Sequence, residues 1–157
     1  IGTFYKYFKN REELGQSLWA EPVAELRSEM QNDFDTAADP VEKIRTLMQH
    51  YVRFSVEHRR VFRGAFLFVR PDNHPSPEKV ELKDEVFYRN LCTAFVEGQR
   101  QGIFREFEPH DMAQLFWAAI HGSLALPVNL DRYDFDSPDT LSSKMISALL
   151  ELIRNGQ

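Results

Sequence analysis
Cysteine is almost missing from this 157-residue chain, with Cys92 the only one. An internal disulfide framework is thereby excluded, and the composition suits a reducing, cytoplasmic setting. Apolar residues make up 43% of the sequence, yet no unbroken apolar run reaches the ~18–20 residues that a membrane span needs. No secretory signal opens it, so no membrane association is expected. Also missing are His-Glu-x-x-His, Gly-x-Ser-x-Gly, a phosphate-cradling glycine loop and any cysteine pair at metal spacing. His50 and His58 could share a helical face, but no acid or cysteine partner is obvious beside them. No catalytic residue, metal site or cofactor is therefore expected, and the chain does not read as an enzyme. Acids outnumber Lys and Arg by 24 to 19, and the net charge of −5 argues against nucleic-acid binding over the whole surface.

Helix breakers are scarce too, with seven glycines and eight prolines, and the prolines fall mostly at boundaries. Asn10-x-x-Glu13 reads as a capping box opening a helix to about Asp33, which Pro22 should kink or break near Trp19. Asp39-Pro40-Val41-Glu42 starts a second helix, with Ile44, Leu47, Met48 and Tyr51 on its buried face. The dense apolar stretch 61–69 is expected to continue as a mostly buried helix. Residues 71–77 read as a loop, after which Ser76 and Pro77 should open a long helix with Phe87, Leu91 and Phe95 on one stripe. A helix from Glu108-Pro109 to about Pro127 carries Met112, Leu115, Phe116, Ala119 and Ile120. Ser137-Pro138-Asp139 caps the last helix, whose seam is Leu141, Met145, Ala148, Leu149 and Leu152. No strand or repeat is evident, so the expected class is all-α, a helical bundle.

The last two helices are apolar on more than one side, because Trp117, Ile146, Leu150 and Ile153 lie off those seams. A wide apolar surface must be buried twice, which predicts a homodimer through residues 109–126 and 138–155. His121 is polar on an apolar helix. It reads first as a core histidine bonded to backbone groups, and second as a ligand contact. Gly122 beside it is expected to permit close helix approach. Asp131, Asp134 and Asp136 read as a solvated linker.

What is concentrated is the opening stretch, residues 1–14. Lys6, Lys9 and Arg11 make it the one locally basic segment, interleaved with Phe4, Tyr5, Tyr7 and Phe8. Cations and hydroxyls at a helix start can meet phosphates. The pattern Gly2-Thr3-Phe4-Tyr5-x-x-Phe8-x-x-Arg11-Glu12-x-Leu14 resembles the end of the helix-turn-helix in TetR-type transcriptional regulators. Residues 97–111, from Glu97-Gly98 through Glu108-Pro109-His110-Asp111, look like the linker between the two late helices of their ligand domains. Trp117-x-x-x-His121-Gly122 is similar to a signature of one subclass.

The resemblance implies that residues 1–14 are the remnant of a DNA-binding domain, with the rest of it ahead of Ile1, and that 15–157 form a ligand-binding and dimerisation domain. It places Thr3, Tyr5 and Tyr7 near operator DNA, with Lys9 or Arg11 on a phosphate and Lys6 as a base reader. It also implies a small apolar or aromatic effector. Tyr51, Phe54, Phe62, Phe66, Phe87, Phe95, Trp117 and His121 come from four consecutive helices and could wall its cavity, although each taken singly reads as core. The function so implied is a ligand-responsive DNA-binding regulator, a repressor released by its effector. The alternatives are a helical interaction module without a ligand and, behind it, an enzyme on the same bundle.

Overall fold
A computed structural model describes residues 11–67 and 79–155 of the chain. The described residues form six α-helices and no strand: α1 (Arg11–Thr36), α2 (Pro40–Glu57), α3 (Arg59–Ala65), α4 (Val86–Arg100), α5 (Pro109–Asn129) and α6 (Pro138–Ile153). The protein is an all-α helical bundle. No described helix is long and apolar enough to cross a membrane.

Local chemistry sets most of the boundaries. The Asp39 carboxylate accepts from the N–H groups of Val41 and Glu42, and Pro40 supplies the first-turn φ of α2. Glu108 caps α5 through the Asp111 N–H, and Ser137 caps α6 through the Thr140 N–H. The α4–α5 link is tied by two glycines with different duties. Gly102 has φ +71, the left-handed region that ends α4 cheaply. Gly98 lets Phe104 lie against the helix, since a Cβ there would stand 2.1 Å from that ring. Beyond the turn, the Arg105 N–H donates to Ile153 O and the Asn155 N–H to Ile103 O, so the end of α6 is stitched to this link.

The second helix is the hub, packing against every other helix. It buries Ile44, Leu47, Met48, Tyr51 and Phe54 in a core that also takes Leu91 and Phe95 from α4 and Phe116 and Ile120 from α5. Charged pairs lock the rim: Lys43 to Glu97 at 2.7 Å between α2 and α4, and Arg27 to Glu85 at 2.7 Å between α1 and α4.

Five sequence expectations are corrected. Pro22 does not break α1, which is continuous from Arg11 to Thr36. The carbonyl that Pro22 leaves unbonded belongs to Leu18, which is 65% exposed, so water can satisfy it. The stretch 61–69 does not prolong the preceding helix as a buried rod. His58 leaves helical geometry at φ −109 and ψ 44; in the short α3 that follows Phe62 is buried and Val61 only partly so, Phe66 and Leu67 just after it are partly buried, and Phe68 and Val69 lie outside the described residues. The next long helix does not run from Ser76-Pro77: residues 79–81 are not helical, Leu82–Asp84 make one 3-10 turn, and α4 begins at Val86. Ser76 and Pro77 themselves lie outside the described residues. Helix α5 runs through Pro127 to Asn129, because a proline in the last turn costs only one bond near a frayed end.

The fifth correction concerns faces. On α6 the core side is Ser142, Ile146, Leu149, Leu150 and Ile153. Of the expected seam only Leu149 is buried, whereas Leu152 is 51% exposed. On α5, Leu115 is 60% exposed rather than core. Gly122 meets nothing within 4 Å of an added Cβ, so it marks an open face, not a close helix contact. Both helices are apolar enough all round that periodicity could not tell inside from outside.

Candidate functional site
Seven of the eight aromatic and histidine residues expected to wall a cavity come together. Tyr51 of α2 is their centre, with ring centroids 5.7 Å from Phe62, 5.9 Å from Phe66, 5.3 Å from Phe87 and 6.2 Å from His121. Phe62 stacks on Phe66, which meets Phe54 edge-on, and Phe87 meets Trp117. These distances are contact distances for aromatic pairs, so the rings close on one another. Phe95 is the exception. It stands eight residues after Phe87 on α4, about 12 Å further along the axis, and packs instead with Phe104, Phe107 and Phe116.

One polar pair lies inside this apolar shell. Tyr51 Oη is 2.8 Å from His121 Nδ1. Burial pushes the Tyr51 phenol up to about 12, with a smaller contribution from Glu85 and a partial offset from the Trp117 indole. Burial lowers the His121 imidazole below its ordinary value. Both shifts favour the uncharged forms, so a neutral phenol and a neutral imidazole share this hydrogen bond. The partner of His121 is thus a side chain, not the backbone group expected for a core histidine.

The fold has a solved counterpart. The chain is similar to a structure of a protein with unknown function from Rhodococcus sp. RHA1, at 17% identity and a TM-score of 0.69, covering 96% of this chain and 78% of that one. At that identity the likeness is one of fold alone. No protein-family model and no curated protein matches the chain.

The expected DNA-facing residues Thr3, Tyr5, Lys6, Tyr7 and Lys9 lie outside the described residues, and Arg11 is the first residue of α1. That helix carries the chain from them into the bundle. At its near end Trp19 covers Gly64 of α3, its ring carbon Cζ3 standing 3.4 Å from where a Cβ would be. A line of contacts therefore runs from His121 through Phe62, at 5.8 Å, along α3 to Trp19 of α1.

Further along α1 is a junction the sequence did not reveal. His50, 5% exposed, donates from Nε2 to Asp33 Oδ2 at 2.7 Å, while its Nδ1 accepts from Arg53 Nη2 at 2.7 Å. Arg53 also bonds Glu29 of α1. The acid missing beside His50 in the sequence comes from another helix, 17 residues back. His58 is elsewhere, stacked on Phe54, and no group of three or more metal-ligating side chains is found among the described residues. A second overlooked group joins Tyr88, Cys92 and His110, with Tyr88 Oη 3.1 Å and Cys92 Sγ 3.6 Å from His110 Nδ1. Burial raises the Cys92 thiol, the opposite of what an activated nucleophile needs.

Proposed function
We propose that this chain is the effector-binding and dimerising body of a ligand-responsive DNA-binding transcriptional regulator of the TetR type. The observation that carries the reading is the Tyr51–His121 pair, a buried phenol and a half-buried imidazole set among Phe62, Phe66, Phe87 and Trp117. A few polar groups within an aromatic wall are what a site for a small, mostly apolar effector requires. Further support comes from the basic, aromatic stretch of residues 3–11 at the head of α1. The contacts from Phe62 to Trp19 give a physical route between the two. An effector that displaces Phe62 from Tyr51 and His121 shifts α3, and α3 bears on α1 through Gly64. Because paired DNA-binding heads must meet major grooves about one turn apart, a small rotation of α1 disrupts the fit.

The homodimer belongs to the same reading. Leu115 and Leu126 on α5 and Leu152 on α6 are 43–60% exposed, with Ala118, Gly122 and Ala148 set among them. A two-fold four-helix bundle would cover that face.

The test is operator binding by the full-length protein on DNA selected from random sequence, titrated with and without effector. Linkage requires that effector weakens DNA binding and DNA weakens effector binding by the same factor. Equal effector affinity on and off DNA sinks the reading. A second reading, a helical interaction module without a ligand, is favoured by one observation: the seven rings are in mutual contact, and no buried side-chain N or O among the described residues lacks a hydrogen-bond partner. Such a module binds no small molecule in a thermal-shift screen.

A further inference from the structure
Phe62 also lines a cavity of about 240 Å³ whose other walls come from α2, α5, the start of α6 and the rest of α3. Leu67, Leu124 and Val128 make its interior apolar, and Arg59 and Arg63 stand at its edge. The two arginines are four apart, on one face of α3. Among the described residues neither guanidinium has an ion-pair or hydrogen-bond partner. Arg27, Lys43 and Arg53 by contrast each meet a carboxylate. Arg63, in the last turn of α3, at least suits the helix dipole. Arg59 is in the first turn, where a cation is disfavoured, and no acid stands in that turn. Two adjacent uncompensated cations beside an apolar hollow, in a chain of net charge −5, form an arrangement that an apolar anion completes.

We propose that this cavity binds a small apolar carboxylic acid, its hydrocarbon against Phe62, Leu67, Leu124 and Val128 and its carboxylate held by Arg59 and Arg63. At about 30 Å³ per water-sized unit, the space of about 240 Å³ holds roughly eight heavy atoms, the hydrocarbon of a medium-chain acid with its carboxylate at the rim. The site is one ring away from the Tyr51–His121 pair, because Phe62 is shared and Leu124 follows His121 by about one turn of α5. As the class of effector, this inference rests on the regulatory reading above; as a binding site it stands alone.

Calorimetric titration of the full-length protein with sodium octanoate, 1-octanol and octylammonium at neutral pH tests it. Octanoate is expected to bind about tenfold or more tighter than octanol, because the alcohol cannot make the charge-assisted bonds. Octylammonium should not bind. The R59Q/R63Q double variant, changed only at exposed positions, should lower octanoate to the octanol level and leave octanol unaltered. No octanoate binding, equal affinity for acid and alcohol, or a double variant that binds octanoate like the wild type would each overturn the proposal. DNA affinity measured alongside separates the two ideas. Octanoate that binds without changing DNA affinity sinks the regulatory coupling and leaves the acid site. A protein released from DNA by some other compound while ignoring octanoate sinks the acid site alone.

Discussion
Tyr51 Oη and His121 Nδ1 meet at 2.8 Å across 70 residues of sequence, joining the hub helix α2 to α5 inside an aromatic shell. The hydroxyl is the only hydrogen-bond partner of the imidazole among the described residues. The pair is therefore both a strut of the core and a polar handle that a bound molecule could compete for.

Its titration should be visible in stability. Tyr51 keeps its proton in the folded state up to about 12, while the unfolded chain loses it near 10.0. The unfolded state then binds fewer protons across that window, so stability is complete below the lower value and lost as pH rises through the window, by about 3 kcal/mol. His121 is lowered when folded, so its contribution is present above about 6.5 and lost as pH falls below it. Urea unfolding of Tyr51→Phe should lack the alkaline loss. The stability difference between wild type and His121→Gln should shrink between pH 8 and pH 5. A constant difference over that range means His121 is not held uncharged by its surroundings.

Gly98→Ala should destabilise the protein by about 1–3 kcal/mol, because Phe104 is only 2% exposed and has nowhere to go. Gly122→Ala meets nothing within 4 Å inside the protomer, so it should cost less than Gly98→Ala, any loss coming from the proposed contact between copies. Thermal unfolding of the two variants side by side makes the comparison, and similar melting temperatures would refute the packing argument.

His50→Ala should cost about 2–4 kcal/mol, since it removes a buried ring and its bonds to Asp33 and Arg53. Hydrogen exchange should localise the loosening to α1 and its contact with α2. Uniform loosening of the whole bundle would show that the junction does not govern α1 separately.

Leu115→Glu combined with Leu152→Glu should halve the mass measured by light scattering while leaving the circular dichroism of the helices intact. Both side chains are more than half exposed in the protomer, so the fold does not depend on them. Burying two glutamates in an apolar interface should weaken association about a hundredfold or more. A wild type that is already monomeric, or a variant that stays dimeric, rules this face out as the contact between copies.

Much of the fold was legible because helix starts are written in adjacent residues. The Asp39-Pro40, Glu108-Pro109 and Ser137-Pro138 caps stand where the sequence places them. Capping is a contact between neighbours two or three positions apart, so no distant information is needed. The gathering of Tyr51, Phe62, Phe66, Phe87, Trp117 and His121 was foreseeable from residue type on neighbouring helices. Phe95 was misplaced because type says nothing of height along an axis. The signal for Arg59 and Arg63 is that three arginines, Arg60 being the third, fall within five residues after a helix end in an acidic chain.

By itself the sequence determined the all-helical class and most helix limits, because these depend on local hydrogen bonding and on the 3.6-residue rhythm of apolar positions. Tertiary structure alone decided which side of α5 and α6 faces the core, that His50 takes its acid from α1, that Tyr51 answers His121, and that Arg59 and Arg63 border a hollow. Those outcomes depend on how far each helix slides and turns against its neighbours. Side-chain packing settles that, and no window of consecutive residues contains it.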